Sequence, residues 1–334
     1  MTGVLDAVVV LLNFVFVPAL SYGAQLALGA LGVTLVYGVL RFSNFAHGDL
    51  MAFGTAVTVI MTWWLQSMGI GLGPLPTALL ALPFGIAAGV ALALITDRVV
   101  FRFYRKTRAQ PIVVVMASVG VMFLYNGFTR LLIGTDYEEF GDGSRFLISA
   151  REFKALTGLS EGLAIKTSTA MTFVVAFLAV AWLFWFLYRT RTGKAMRAFS
   201  DNEDLAMLSG IVPSKIVTIT WIIAASLAII AGTLYGLDKS FRAFNYTQLL
   251  LPIFAATIVG GIGHPMGAVV GGFIVAFSEI VVTYAFKSVA EHLGAEPEGM
   301  LQFLSVDYKF AVSFVILVAV LLMRPNGIFQ RGRK

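Results

Sequence analysis

The chain has 334 residues, 58% of them hydrophobic and 13% charged, with a net charge of +6 and a mean hydropathy of +0.87. Soluble domains carry about 25% charged residues, so one water-soluble core cannot hide this much apolar surface, and the composition is that of an integral membrane protein. The basic excess lies in short loops between apolar runs, which is a topology signal rather than a nucleic-acid one; the absence of cysteine excludes disulfides, thiol chemistry and thiolate metal sites.

Val4 to Leu40 is apolar apart from Asp6, Asn13, Pro18, Ser21 and Gln25. A straight helix of that length would measure about 55 Å, against a hydrocarbon core of about 30 Å. Breaks are therefore expected at Pro18 or at Tyr22-Gly23, giving segments near 5–20 and 22–40. The start lacks the basic n-region of a cleavable signal peptide. Further spans are expected at 50–68, 77–100, 111–133, 167–188, 216–237, 268–286 and 308–323. Residues 248–259 form a shorter apolar run. The runs favour helices over a barrel of short alternating strands. The expected class is all-α: a polytopic bundle of 8–10 spans with broken helices, one transmembrane domain over 1–334.

Lys and Arg cluster at 98–108, 189–197 and 324–334, whereas the loops at 134–166 and 287–307 are richer in acids. Counting spans between these markers puts the basic loops and the C-terminus in the cytoplasm and the acidic loops outside.

Two Gly- and His-bearing breaks follow inward runs: NFAHGD at 44–49 and GGIGHPMG at 260–267. Helix breaks at membrane depth are tolerated only where protein or a water-filled cavity covers the freed backbone groups, and in transporters they often lie near the solute path. Asn44, His47, Gly48, Gly260, Gly261, Gly263, His264 and Gly267 are the candidates for such a role. The alternative is a pair of cytoplasmic turns. For 44–49 the turn is the simpler reading. For 260–267 the short preceding run argues that Gly260, Gly261 and Gly263 lie inside the membrane against neighbouring backbone.

No catalytic or metal motif is present: His47, His264 and His292 stand in no metal-ligand pattern, there is no nucleophile elbow, and Gly193-Lys194 lacks the rest of a P-loop. No cofactor is implied. Asp97 and Arg98 close a span and read as interfacial, and Arg130 reads as snorkelling towards its helix end. Glu279 is the exception within a span, with helix packing, cavity lining and proton relay as its possible roles. A string of buried acids, as ion-driven transport would need, is absent, so the energy source is expected on another chain.

The polar stretch Gly193 to Ser214 joins two spans. Ser200 or Asp201 can cap a short helix starting near Asn202, and Ser209-Gly210 ends it with Pro213 beyond. A preceding helical piece is expected at 194–199. Either this is a solvated connector or it is where a cytoplasmic motor docks.

GKAMRAFSDNEDLAMLSGI at 193–211 resembles the cytoplasmic coupling segment in permease subunits of branched-chain amino acid ABC importers. GVTLVYGVLRFSNFAHGDLMAFG at 32–54, FAATIVGGIGHPMGAVVGG at 254–272 and RPNGIF at 324–329 resemble other parts of the same family in the same order. The resemblance implies a multi-pass, non-catalytic inner-membrane subunit, a second homologous permease, two cytoplasmic ATPases, a periplasmic solute-binding protein and no nucleic acid. It implies branched-chain or other apolar amino acids as solutes, with urea or short-chain amides as the runner-up; a self-powered channel or secondary transporter is the competing class. It also places Ala206 and Gly210, with Glu203 or Asp204 and Met207, at the ATPase contact.

Overall fold

The structure is a computed structural model that describes residues 2–73, 75–141, 146–158, 162–292, 309–323 and 327–329. Eight described helices are long and apolar enough to cross a membrane, and the shorter apolar helix Ala311–Met323 adds to them.

Thr2–Leu11 (α1), a π-helical turn over Leu12–Phe16 and Val17–Leu40 (α2) form one uninterrupted helix. The expected break does not occur. The ring of Pro18 would clash with a carbonyl one turn back, and the wider π turn there relieves it. Gly23 serves packing instead: a Cβ on it would sit 2.5 Å from the Phe273 ring. From Ser21 to Val36 every residue of α2 is buried. This helix is the central post of the bundle.

Around the post stand His47–Ser67 (α3), Ala78–Thr96 (α4), Pro111–Ile133 (α6), Thr167–Arg189 (α8), Pro213–Lys239 (α11), Ala243–Gly260 (α12), Pro265–His292 (α13) and Lys309–Met323 (α14). α4 continues through a second π turn, Asp97–Phe101, into Arg102–Lys106 (α5). α13 runs on to His292, into the stretch expected as loop, and residues 293–308 lie outside the described residues. Small residues bring the helices together, as membrane packing requires. Cβ atoms added to Gly260 and Gly267 would each meet the other's carbonyl oxygen, at 2.0 and 2.1 Å, and one on Gly271 would meet the Ala256 oxygen at 2.0 Å. α12 and α13 thus touch backbone to backbone.

The two ends of the bundle differ. One, the basic end, carries α5 and the α8–α11 connection. There Asp97 is turned inward: both carboxylate oxygens accept from Arg105, at 2.6 and 2.8 Å, and Trp221 donates to Oδ1 at 2.7 Å. Arg98 stays exposed. Phe101 stacks on Trp221 and also meets Phe42. The other, the hairpin end, carries the antiparallel strands Phe146–Ile148 (β1) and Ile165–Lys166 (β2), with Ala150–Thr157 (α7) between them. A Ser149–Glu152 capping box starts α7, and its hydrogen bonds hold the exposed Glu152 carboxyl below its usual pKa. This end is tied to the spans by Glu138 and Phe241, which exchange backbone hydrogen bonds at 2.8 and 2.7 Å, and by Trp63 donating to the Glu139 carbonyl.

Candidate functional site

Two constructions stand out: the folded connection at the basic end and the first of the two breaks.

The connection consists of Arg191–Asp201 (α9) and Glu203–Leu208 (α10). Thr190 caps α9 by accepting from the Gly193 N–H at 2.9 Å. Gly193 is obligatory at the elbow, since a Cβ there would lie 2.2 Å from the Phe186 carbonyl oxygen. The α10 cap is Asn202, whose Oδ1 accepts from Leu205 N–H at 3.0 Å, rather than Ser200 or Asp201. Both candidates are taken up in the longer α9, which exceeds the expected 194–199. α10 closes in a Schellman arrangement. Gly210, at φ +84°, donates to Met207, and Ile211 donates to Ala206, at 3.0 and 3.1 Å.

α9 is bolted to the end of α2. The Ser200 hydroxyl donates to the Gly38 carbonyl at 3.0 Å, and Arg41 donates to the Ser200 carbonyl. Arg197 lies over the Tyr188 ring, 4.5 Å from its centroid. Of the residues singled out here, Glu203, Asp204, Met207 and Gly210 are exposed. Ala206 is buried, packing α10 down rather than facing outward. Sequence reasoning missed the apolar faces that do look outward: Leu205 at 62% and Leu208 at 85% exposure, with Val212 beyond. Their signal was large apolar residues three apart on a capped polar helix.

The first break is not a turn at the bundle's end. After Arg41, in the left-handed region at φ 59°, the chain doubles back beside α2. Phe45 N–H reaches the Ser118 hydroxyl, within α6, at 3.1 Å. His47 lies against Gly32, about two turns before α2 ends. α3 therefore begins deep in the bundle. Asn44 builds this start: its Oδ1 accepts from Ala46 N–H at 3.1 Å and its carbonyl from His47 N–H. Asn44, His47, Gly48 and Asp49 are all buried. Gly48 admits no side chain, because a Cβ would meet the Tyr246 carbonyl oxygen at 2.6 Å.

Asp49 is fully buried one residue further on. Its Oδ1 accepts from Asn126 Nδ2 at 2.8 Å and from the Thr247 hydroxyl at 3.0 Å. In the sequence it reads only as the edge of a polar loop.

The second break is a tight turn. α12 has 18 residues because Ala243 to Thr247 belong to it, and it takes in Gly260 as its last residue while Gly261 and Gly263 lie beyond its end. The polar residues there find partners: Tyr246 donates to the Gly232 carbonyl and Thr247 to Asp49. Gly260 and Gly267 do meet backbone, but Gly263, at φ +83°, has nothing within 4 Å and only turns the chain. His264 caps α13, its Nδ1 accepting from Gly267 N–H at 3.4 Å, with Pro265 as the first helical residue. Gly327–Phe329 folds onto this turn. Ile328 donates to the Val259 carbonyl at 2.9 Å, Phe329 to that of Gly260 at 3.3 Å, and the Phe329 ring stacks on His264. A cavity of about 260 Å³ separates the turn from α9, bordered by Thr34, Gly38, Arg197, Ser200 and His264.

Glu279 is buried between helices and accepts from the Ser313 hydroxyl of α14; Tyr22 of α2 shares a hydrogen bond with it. It ties three helices together.

Residues 15–321 match the family model described as branched-chain amino acid transport system / permease component. The chain is 31% identical to the high-affinity branched-chain amino acid transport system permease protein LivH of Escherichia coli K12, covering 93% of each. It is 30% identical to the corresponding permease protein BraD of Pseudomonas aeruginosa, covering 94% of each. Among solved structures, PsaBC from Streptococcus pneumoniae in complex with Fab aligns with a TM-score of 0.50 at 11% identity, covering 93% of this chain and 91% of that one, a likeness of fold alone. The chain is a multi-pass membrane protein and belongs to the family of permease components of branched-chain amino acid transport systems.

Proposed function

We propose that this permease carries branched-chain or other apolar amino acids into the cell, paired with a second homologous permease and driven by two ATPases. The basic end faces the cytoplasm and the hairpin end receives a periplasmic binding protein. The single observation that carries this reading is α10, a capped helix whose Leu205 and Leu208 are exposed while α9 beneath it is tied to the central helix α2. A soluble loop has no reason to present such residues on a braced helix. A motor seated on them moves α2, and with it the segment 41–49, as one body. Rigid-body motion of this kind alternates access to a path between the two permeases.

The test is purification with the neighbouring subunits and reconstitution in liposomes. Leucine-loaded binding protein is expected to stimulate ATP hydrolysis, and uptake is expected to stop when ATP is withheld. Uptake that survives without ATP would establish a self-powered carrier instead. Urea or short-chain amides outcompeting leucine would overturn the solute. Leu208→Asp, which leaves the fold's interior untouched, is expected to weaken ATPase docking about tenfold or more, since burying a leucine contributes about 1.5–3 kcal/mol. Ala206 is a poorer probe, because it is buried and a bulky side chain there would disturb the packing of α10 before it met a partner.

A further inference from the structure

Asp49 is the charged group that the packing of the bundle leaves least explained. It lies in the first turn of α3, without solvent exposure, in the deep part of the bundle. An ionised carboxylate offers about four acceptor positions. Here Oδ1 takes both available donors, from Asn126 and Thr247, and Oδ2 has no partner. Burying a carboxylate with half its capacity unused is expensive, and ionisable groups kept within a membrane span are functional by default. A mere clamp between α3, α6 and α12 could be made by a neutral amide, which also accepts from both donors.

The surroundings point to a ligand. Asn126 and Thr247 are only half-buried, and α6 and α12 barely touch, so these two polar side chains are what stands between the carboxylate and the surface of the bundle. One turn further along α6, on the face of Asn126, stands Arg130. It is exposed and makes no ion pair among the described residues. The carboxylate is thus held by an amide and a hydroxyl at the surface, and a cation stands one helical turn from that amide. That is the complement of a small zwitterion.

We propose that Asp49, Thr247, Asn126 and Arg130 form a transient subsite for the charged end of a free α-amino acid, Asp49 taking the ammonium group and Arg130 the carboxylate. The subsite rests on the amino acid reading of the solute. It reads the part common to all such solutes and leaves side-chain choice to other surfaces. A carrier must hold its cargo loosely enough to release it, and the exposure of Arg130 keeps that half of the pairing weak.

The natural absence of cysteine makes the test direct. Gly127→Cys places a single thiol beside Asn126 and Arg130, where an added Cβ meets nothing within 4 Å. In the full transporter with cysteine-free partner subunits, a water-soluble methanethiosulfonate is expected to modify this thiol. Leucine delivered by the binding protein is expected to slow modification several-fold. Asp49→Asn or Arg130→Gln should remove that protection, and Asp49→Glu should restore part of it. A thiol inert to the reagent, or equal protection with Asp49→Asn, overturns the subsite. In parallel, leucine uptake is expected to fall at least tenfold with Asp49→Asn. Wild-type uptake in that variant sinks the subsite alone, whereas a wild-type transporter that carries no leucine sinks the solute reading itself. Should Asp49→Asn fail to assemble, protection of the thiol with Asp49 intact, and its loss with Arg130→Gln, decide the matter.

Discussion

The two breaks each set a histidine next to a glycine, and they are built for opposite purposes. At 44–49 the chain folds back into the bundle, where Phe45 N–H is bonded by Ser118, Ala46 N–H by Asn44 within the loop, and Asp49 by Asn126 of another helix. At 260–267 the chain reverses in a short turn whose loose carbonyls are closed by Gly327–Phe329. His47 is packed against α2; His264 is a cap. Composition announces that a helix stops. It does not say whether the stop lies at the bundle's end or within it, because that depends on which distant residues supply the missing hydrogen bonds.

The contrast can be broken most severely at the glycines that meet backbone. Gly260→Val puts a side chain into the Gly267 carbonyl, 2.0 Å away, and neither partner can yield. Folded protein is expected to disappear from the membrane fraction, as judged by detergent-extracted yield in size-exclusion chromatography. Gly263→Ala, three residues on in the open turn, should fold normally and lose only about 1 kcal/mol for the left-handed conformation. Equal damage from the two would erase the distinction between packing and turning glycines.

A second, intermediate effect concerns the basic end beside the first break. Asp97→Ala strips Arg105 and Trp221 of a shared acceptor. A broken buried pair costs about 3–5 kcal/mol, reduced here to about 2 kcal/mol because Arg105 keeps some solvent contact. The measurement is a drop in the midpoint of thermal unfolding in detergent, and Asp97→Asn should recover part of it through the Trp221 hydrogen bond. Smaller again is removal of the chain from Gly327 onward. It exposes the Val259 and Gly260 carbonyls and should cost about 1–2 kcal/mol, since water at the bundle's end replaces part of what is lost. Phe329→Ala, which keeps the backbone bonds and loses only the ring on His264, should cost about 1 kcal/mol or less. A loss from the ring alone as large as that from the whole segment would show that the turn is held by stacking, not by its carbonyls.

Much of the architecture was legible because apolar length is a one-dimensional signal. The spans at 111–133 and 167–188 agree with α6 and α8 to within a residue, and the Gly210 stop and its turn chemistry were local enough to read. Asp49 was not legible, because its meaning comes from Asn126 and Thr247, far away in the chain. The inward turn of Ala206 was equally hidden, since a six-residue helix shows too little periodicity to fix its buried face. The uninterrupted first helix was misjudged for a different reason. Proline normally breaks a helix, and nothing in the letters around Pro18 announces a π turn that accommodates it.

The seating of Gly327–Phe329 on the α12 terminus also sets an order of events during synthesis. Val259 and Gly260 leave the ribosome long before Ile328 and Phe329 exist, so their carbonyls must wait, solvated, while α13 and α14 are threaded into the bilayer. The turn is finished only after α14 has been made. A subunit cut short just before this segment would be fully inserted yet carry an unsealed joint, a difference that a membrane quality-control protease could detect.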